Sequence, residues 1–195
     1  STGMASLAEI DEAVRTFENA GGKDLTLLHC VSQYPAPMGD VHLRKITSLK
    51  HAFDYPVGFS DHTIGVEASI GAVTLGASFI EKHFTLSHDL PGPDHHFSST
   101  PDEFSLLVES IRSIELALGN SKLTTTSKEK LNAENYQLSC VAKKNLTKGS
   151  VIEINDISFS RPGNGIPPKL VNFICGKTIN NDKVAGDIFN LSDLK

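Results

Sequence analysis

Val57-Gly58-Phe59-Ser60-Asp61-His62-Thr63 and Ile80-Glu81-Lys82-His83-Phe84-Thr85 decide the fold class of this chain. In each case a short apolar run, Val57 to Phe59 or Ala77 to Ile80, feeds directly into a histidine. Such a run, bounded by Gly or Pro and followed by a helical pattern, reads as a buried parallel strand of a βα unit. If both runs are strands of one parallel sheet, both imidazoles leave it at the carboxyl end, where chemistry collects in such folds. Two unrelated histidines, on the surface or in the core, would give the same pattern. The segment Gly92-Pro93-Asp94-His95, arriving soon after the second run, favours a site.

Working outward, Ser6-Leu7-Ala8-Glu9 is a capping box, and Leu7, Ile10, Val14 and Phe17 follow at helical spacing. This predicts a helix to about Asn19, stopped by Gly21-Gly22. Leu25 to Cys30 reads as a strand, followed by a proline-stiffened loop, Ser32-Gln33-Tyr34-Pro35-Ala36-Pro37. Val41, Leu43, Ile46 and Leu49 suggest a short helix, and the small apolar residues of Gly65 to Leu75 suit a helix packed closely on a sheet. Thr100-Pro101-Asp102-Glu103 is a complete helix start, with Phe104, Leu107, Val108, Ile111, Ile114 and Leu118 as its core face and Gly119 as its stop.

Strand, loop and helix therefore alternate, the mark of an α/β parallel sheet; alternation alone leaves barrel and doubly wound sheet open. Residues 120–137 turn polar and aperiodic, as an interdomain linker does. Beyond them, 138–195 shows short β-like pieces separated by Lys-Gly, Pro-Gly, Asn-Gly and Ala-Gly, which predicts a small, mostly β second domain. The pieces are Cys140 to Ala142, Val151 to Ile154, Ile157 to Phe159, Lys183 to Val184 and Ile188 to Asn190.

The 195 residues carry a net charge of −5 with scattered Lys and Arg, so nothing resembles a footprint for nucleic acid. No apolar stretch approaches the ~20 residues of a membrane span. The three cysteines, Cys30, Cys140 and Cys175, form no CxxC pair, and a reducing cytoplasm is the expected compartment. The chain opens on Ser1-Thr2-Gly3-Met4, which reads as the tail of a strand, so a fragment is expected.

His62 and His83 are the candidate metal ligands, since neutral imidazoles at an open sheet end leave coordination positions for water or substrate. Asp61 and Glu81 are placed to orient them, either as plain structural partners or as supports of ligands. The turn Pro91-Gly92-Pro93-Asp94 would aim Asp94 into a site where a carboxylate accepts from sugar hydroxyls; a rigid surface turn reads the same way. Ser32, Tyr34 and Ser60 bring hydroxyls to the same face, suited to phosphate or carboxylate oxygens. Arg161-Pro162-Gly163 holds a guanidinium on a constrained loop, for an acceptor-rich ligand or for solvent.

Taken in order, Ser1-Thr2-Gly3-Met4, Leu28-His29-Cys30 with Tyr34-Pro35, the two histidine segments, Gly92-Pro93-Asp94-His95, and Arg161-Pro162-Gly163 with Gly165-Ile166 resemble the sialic acid synthase family, which includes N-acetylneuraminate and legionaminate synthases. The resemblance covers nearly the whole chain. It implies a TIM (β/α)8 barrel followed by a small antifreeze-like SAF (β-clip) domain. This chain then supplies only the C-terminal half of the barrel (1–119), the linker (120–137) and the SAF domain (138–195). The other half would carry lysines for phosphoenolpyruvate and an acid-base glutamate.

For the matching positions, the resemblance implies that His62 and His83 bind catalytic Mn²⁺ or Mg²⁺ and that Ser60 and Ser1 hold the phosphate of phosphoenolpyruvate. It further implies that Tyr34 and Asp94 contact an N-acyl amino sugar, and that Arg161 reaches the sugar in the partner's barrel of a domain-swapped homodimer. The implied reaction condenses phosphoenolpyruvate with N-acetylmannosamine or a 2,4-diacetamido-trideoxy hexose, giving a nonulosonic acid and phosphate. Ser87, the Tyr136-Gln137 pair and Phe97 depart from the family pattern, which bears on the sugar rather than the reaction. Two rival readings are a metal-dependent TIM-barrel aldolase or hydrolase using the two histidines, and a noncatalytic carbohydrate-binding fragment. The first does not expect the small Arg-Pro-Gly domain.

Overall fold

The first helix begins where the capping box puts it. In the computed structural model, which describes residues 1–195, α1 runs Leu7–Asn19; Ser6 N–H donates to Glu9 Oε2 at 2.7 Å and Glu9 N–H to Ser6 Oγ at 3.4 Å. It ends before Gly21, whose φ of +88° turns the chain out of the helix where a side chain would be strained. The elements β1 (Leu27–Cys30), α2 (Arg44–Ala52), β2 (Val57–Asp61), α3 (Glu67–Thr74), β3 (Ile80–Lys82) and α4 (Pro101–Leu118) follow. The three strands form one parallel sheet in the order β1-β2-β3, with Leu27 opposite Val57 and Phe59 opposite Ile80. This is the α/β alternation expected from the sequence.

Strand alternation divides the sheet into two faces. Leu27, Val57 and Phe59 point to the helix side, where Val14, Val41, Ile46, Leu49, Ala68 and Ala72 complete a buried core. Leu28, Cys30, Gly58, Ser60 and Glu81 occupy the alternate positions. Gly58 is required there, because a Cβ would meet Leu28 Cδ2 and the Phe79 carbonyl oxygen, each at 2.5 Å.

Three boundaries move from their expected places. The strand expected at Leu25 starts at Leu27, and the helix expected from Val41 starts at Arg44 after a 3₁₀ turn at Met38–Asp40. The run Ala77 to Ile80 is mostly approach to the third strand: Ser78 N–H already donates to Val57 O at 2.8 Å, but β3 itself is Ile80–Lys82. The polar residues Glu81 and Lys82 pair with β2 although they break the apolar run, because each has a partner described below.

A second compact unit spans Lys122–Lys195. The stretch expected to be a linker contains a helix, α5 (Ser127–Tyr136), opened by a capping box of Thr126 and Glu129. None of its residues is buried, so it lacks the apolar stripe that would reveal it in sequence. Its carboxyl end is fastened within this unit, where Gly163 N–H donates to Glu134 O at 2.7 Å. The strands β4 (Ser139–Ala142) and β5 (Ile157–Ser160) pair antiparallel, and a short helix α6 (Val171–Ile174) follows. The other expected β pieces appear as single bridges, Leu146 with Lys183, Val151 with Thr178 and Val141 with Ile188. Cys140, Ala142, Ile152, Ile174, Ile179 and Phe189 are in its core. No helix of either unit is long and apolar enough to cross a membrane.

Candidate functional site

His62 and His83 each follow the last residue of a strand, β2 and β3, and strand alternation carries both onto the face opposite the helices. Their rings lie edge to face with centroids 5.2 Å apart. The backbone carbonyls of both are taken up by neighbouring loops: Ala36 N–H donates to His62 O and Ser99 N–H to His83 O, each at 2.8 Å. These bonds draw the Tyr34 loop and the loop after β3 over the sheet end. The Tyr34 ring lies 4.3 Å from that of His62 and 5.7 Å from that of His83. Phe97, 4% exposed, closes the group with its ring 4.9 Å from His83 and 6.1 Å from Tyr34.

The pairing of orienting carboxylates differs from the sequence reading. Asp61 does not touch the His62 ring; His62 Nδ1 instead faces Val31 O at 2.8 Å. Glu81 does not orient His83; its Oε1 accepts from Ser60 Oγ at 2.6 Å, across the rung where Ser60 and Glu81 are opposite. Asp94 Oδ2 stands 3.9 Å from His83 Nδ1. The loop that bears Asp94 is pinned by Ser98 Oγ donating to Asp94 O at 2.6 Å and by a 2.7 Å hydrogen bond between Thr85 Oγ1 and His95 Nδ1. His88 Nε2 lies 3.2 Å from Glu103 Oε2, fastening the same loop to the start of α4. The Thr100 cap holds the Glu103 carboxyl below its usual range, with a smaller contribution from His88.

The structure thus brings His62, His83, Tyr34, Ser60 and Asp94 into one neighbourhood, gives Glu81 a different partner there, and adds Phe97. Alternation along β3 is the sequence signal for Glu81, since it places that residue on the face of His83. Ser1 sits apart: it lines a hollow with Ile10, Val14 and Phe17 of α1. Ser32 packs against Gly3 beside Cys30. Arg161 belongs to the second unit, where its Nε donates to Tyr136 O at 3.0 Å and its guanidinium lies 5.7 Å from the Tyr136 ring centroid. Behind the sheet, His29 is buried with Nε2 2.6 Å from Val41 O, and burial pushes its pKa down.

No three His, Cys, Asp or Glu side chains come together as a complete metal cage. The two imidazoles nevertheless suit an open site. A carbonyl only accepts, so the contact with Val31 O makes Nδ1–H the donor and leaves the lone pair on Nε2, the usual state of a ligating histidine. Ser60 Oγ donates to Glu81 Oε1 at 2.6 Å and lies 3.3 Å from that Nε2. The ring centroids are 5.2 Å apart, close enough for the two imidazoles to be considered as ligands of one ion.

Residues 1–123 match the model of the NeuB family, and residues 139–195 match that of the SAF domain. The chain is 45% identical over 194 residues to an uncharacterized protein of Methanocaldococcus jannaschii, covering 100% of this chain and 58% of that protein. It is 43% identical to an N,N'-diacetyllegionaminic acid synthase of Campylobacter jejuni, covering 91% of this chain and 54% of the synthase. A crystal structure of N-acetylneuraminic acid synthetase from Leptospira borgpetersenii, in complex with citrate, superposes with a TM-score of 0.61 at 39% identity, over 68% of this chain and 46% of that one. The chain therefore spans little more than half the length of the curated relatives it matches. The family match over its first 123 residues, and the relatives aligned along nearly all of it, make this chain a member of the NeuB family that carries a SAF domain.

Proposed function

We propose that this chain is the C-terminal half of the barrel and the SAF domain of a nonulosonic acid synthase. The enzyme condenses phosphoenolpyruvate with an N-acyl amino sugar and releases phosphate. The observation that carries the reading is the cluster of His62, His83, Tyr34 and Asp94 at the carboxyl ends of parallel strands, in a chain of the NeuB family. The 43% identity to a diacetyllegionaminic acid synthase supports a diacetamido sugar as the acceptor, with N-acetylmannosamine the alternative.

In the reaction, C3 of phosphoenolpyruvate bonds to the aldehyde carbon of the open-chain sugar, water adds at C2, and the C2–O bond to phosphate breaks. His62 and His83 would hold a divalent cation, Mn²⁺ or Mg²⁺, which would supply polarisation of the aldehyde oxygen. Tyr34, 53% exposed, and Asp94 present a hydroxyl and a carboxylate to the sugar hydroxyls. Ser60 faces the phosphate, and its hydroxyl turns from Glu81 to an incoming phosphate oxygen. Ser32, beside Cys30, lines the phosphoenolpyruvate pocket once the other barrel half is in place. Arg161 reaches the sugar of a partner's barrel in a domain-swapped homodimer. The three free cysteines support a reducing, cytoplasmic setting.

The test supplies the barrel half this chain lacks and follows phosphate release with Mn²⁺, phosphoenolpyruvate and either sugar. Release with one of them is expected, and none with any N-acyl sugar overturns the proposal. His83→Ala in the same protein is expected to lower metal-dependent turnover by about 100-fold or more, since even loss of a ligand's supporting partner costs roughly 10–100-fold in metal affinity or activity. Unchanged turnover at saturating metal removes His83 from the ligand set.

A further inference from the structure

We infer that Asp61 and Lys82 are positioning residues for His62 and His83, their buried ion pair fixing where the two imidazoles leave the sheet. The inference rests on the two histidines forming the site proposed above, and it concerns residues that point away from that site.

Asp61 and Lys82 are opposite one another on the last rung between β2 and β3, and each immediately precedes a histidine. Their side chains face the helix layer. The Asp61 side chain is fully buried and that of Lys82 is 2% exposed, with Nζ and Oδ2 3.0 Å apart. Every acceptor of the carboxylate is used. Oδ1 accepts from Thr63 N–H and from Thr63 Oγ1, each at 2.8 Å, and Oδ2 accepts from Ser69 Oγ at 2.6 Å as well as from Lys82. Lys82 Nζ spends a second donor on Thr63 O at 2.8 Å. His62 is therefore clamped through the residue before it and the residue after it. The clamp reaches α3 through Ser69 and β3 through Lys82, and the residue after Lys82 is His83. One cluster sets the backbone of both histidines.

Stability alone does not call for such an arrangement. Burying two charges costs desolvation that their attraction roughly repays, and a well-packed apolar pair commonly holds two elements as well or better. An apolar pair has no means of gripping the Thr63 N–H, hydroxyl and carbonyl at the same time. What the ion pair adds over an apolar one is the shape of the turn at His62 and its register against His83.

The test uses this chain with Asp61→Asn and Lys82→Met together, which removes both charges at nearly constant volume and leaves an amide oxygen for Thr63 N–H. Lys82→Arg, which keeps the charge but spreads its donors over a planar fork, is the second variant. Three quantities are read: the thermal midpoint, the imidazole NMR signals of His62 and His83 without metal, and the dissociation constant for Mn²⁺ from the paramagnetic signal of the free ion. The expected result for the double variant is a midpoint near that of the parent, shifted imidazole signals, and Mn²⁺ binding weakened by roughly tenfold or more, the scale of outer-shell losses. Unshifted signals and unchanged affinity in a folded variant overturn the inference. If the double variant does not fold, Lys82→Arg decides on the same two readouts. A parent chain that binds no Mn²⁺ counts against the metal reading itself, and the metal-free signals then decide the positioning role alone.

Discussion

At the scale of single residues, the polar groups of the first unit sort by sheet face. Ser60, His62, Glu81 and His83 alternate onto one face, while His29, Asp61 and Lys82 lie behind it among the helices. His29 is 2% exposed, and its Nε2–H is spent on Val41 O at 2.6 Å. Burial holds its pKa below the ordinary imidazole value of about 6.5, with the Val41 bond opposing and Lys45 and His42 pushing in the same direction as burial. The unfolded chain then takes up a proton that the native state refuses, so the stability tied to His29 is fully present above about pH 6.5 and is lost as pH falls through the lower native value. His29→Gln, which keeps a donor for Val41 O, is expected to flatten the fall in unfolding free energy between about pH 7 and 5. Denaturant titrations of both proteins across that range measure it, and parallel pH curves would refute the assignment. Nothing in the sequence marks His29 off from His62, since both lie in strand-and-loop segments of similar composition. Only the parity of each position along a strand whose ends are known separates a core histidine from a site histidine.

At the scale of elements, caps and glycines were legible and amphipathic stripes were decisive only where a helix is packed. α1 and α4 begin at the boxes their sequences announce, because a Ser or Thr with Glu three residues on satisfies free N–H groups without help from the rest of the fold. The Thr126 and Glu129 box carried the same information for α5, but an unburied helix shows no apolar period, and composition alone made it a linker. The orientation of Asp61 and Glu81 was hidden for a different reason: adjacency in sequence suggested partners for the histidines, whereas side chains next to one another in a strand point to opposite faces. The close approach between α5 and the loop after β5 gives a test at this scale. A Cβ on Gly163 would stand 2.6 Å from Gln137 Cβ and 3.0 Å from Ala133 O, so Gly163→Ala must push α5 away from that loop. The expected cost is about 1–3 kcal/mol, the range for overpacking, with hydrogen exchange in residues 127–137 rising more than in the core around Phe189. Equal exchange in both places would show that α5 does not depend on this contact.

At the scale of the whole molecule, the βα alternation and a separate small domain could be read from the sequence, and short parallel strands could not be closed into a barrel from it. The sheet has three strands in the order β1-β2-β3, so β1 and β3 are its edges. A closed barrel has no edges, and its site draws residues from the ends of several strands. The residues gathered here supply, on the proposed reading, a metal corner, a hydroxyl and a carboxylate for a sugar, and one hydroxyl for a phosphate. They include no cluster of lysines for the phosphate and carboxylate of phosphoenolpyruvate. The proposed reaction moves a substrate with about three negative charges, and a site built only from His62, His83, Ser60, Glu81 and Asp94 places two carboxylates beside it. The divalent cation proposed for His62 and His83 offsets at most those two carboxylates, so the substrate's own charge is left without a cationic partner. The chain on its own is therefore expected to release no phosphate from phosphoenolpyruvate and an N-acyl sugar, and co-expression with the N-terminal portion of a close relative is expected to restore release. Phosphate release by the purified chain and by the reconstituted pair, compared under the same Mn²⁺ concentration, is the measurement. Turnover by the chain alone at the rate of the pair would mean that the phosphate site is built from residues already present, and that the half-barrel assignment is wrong.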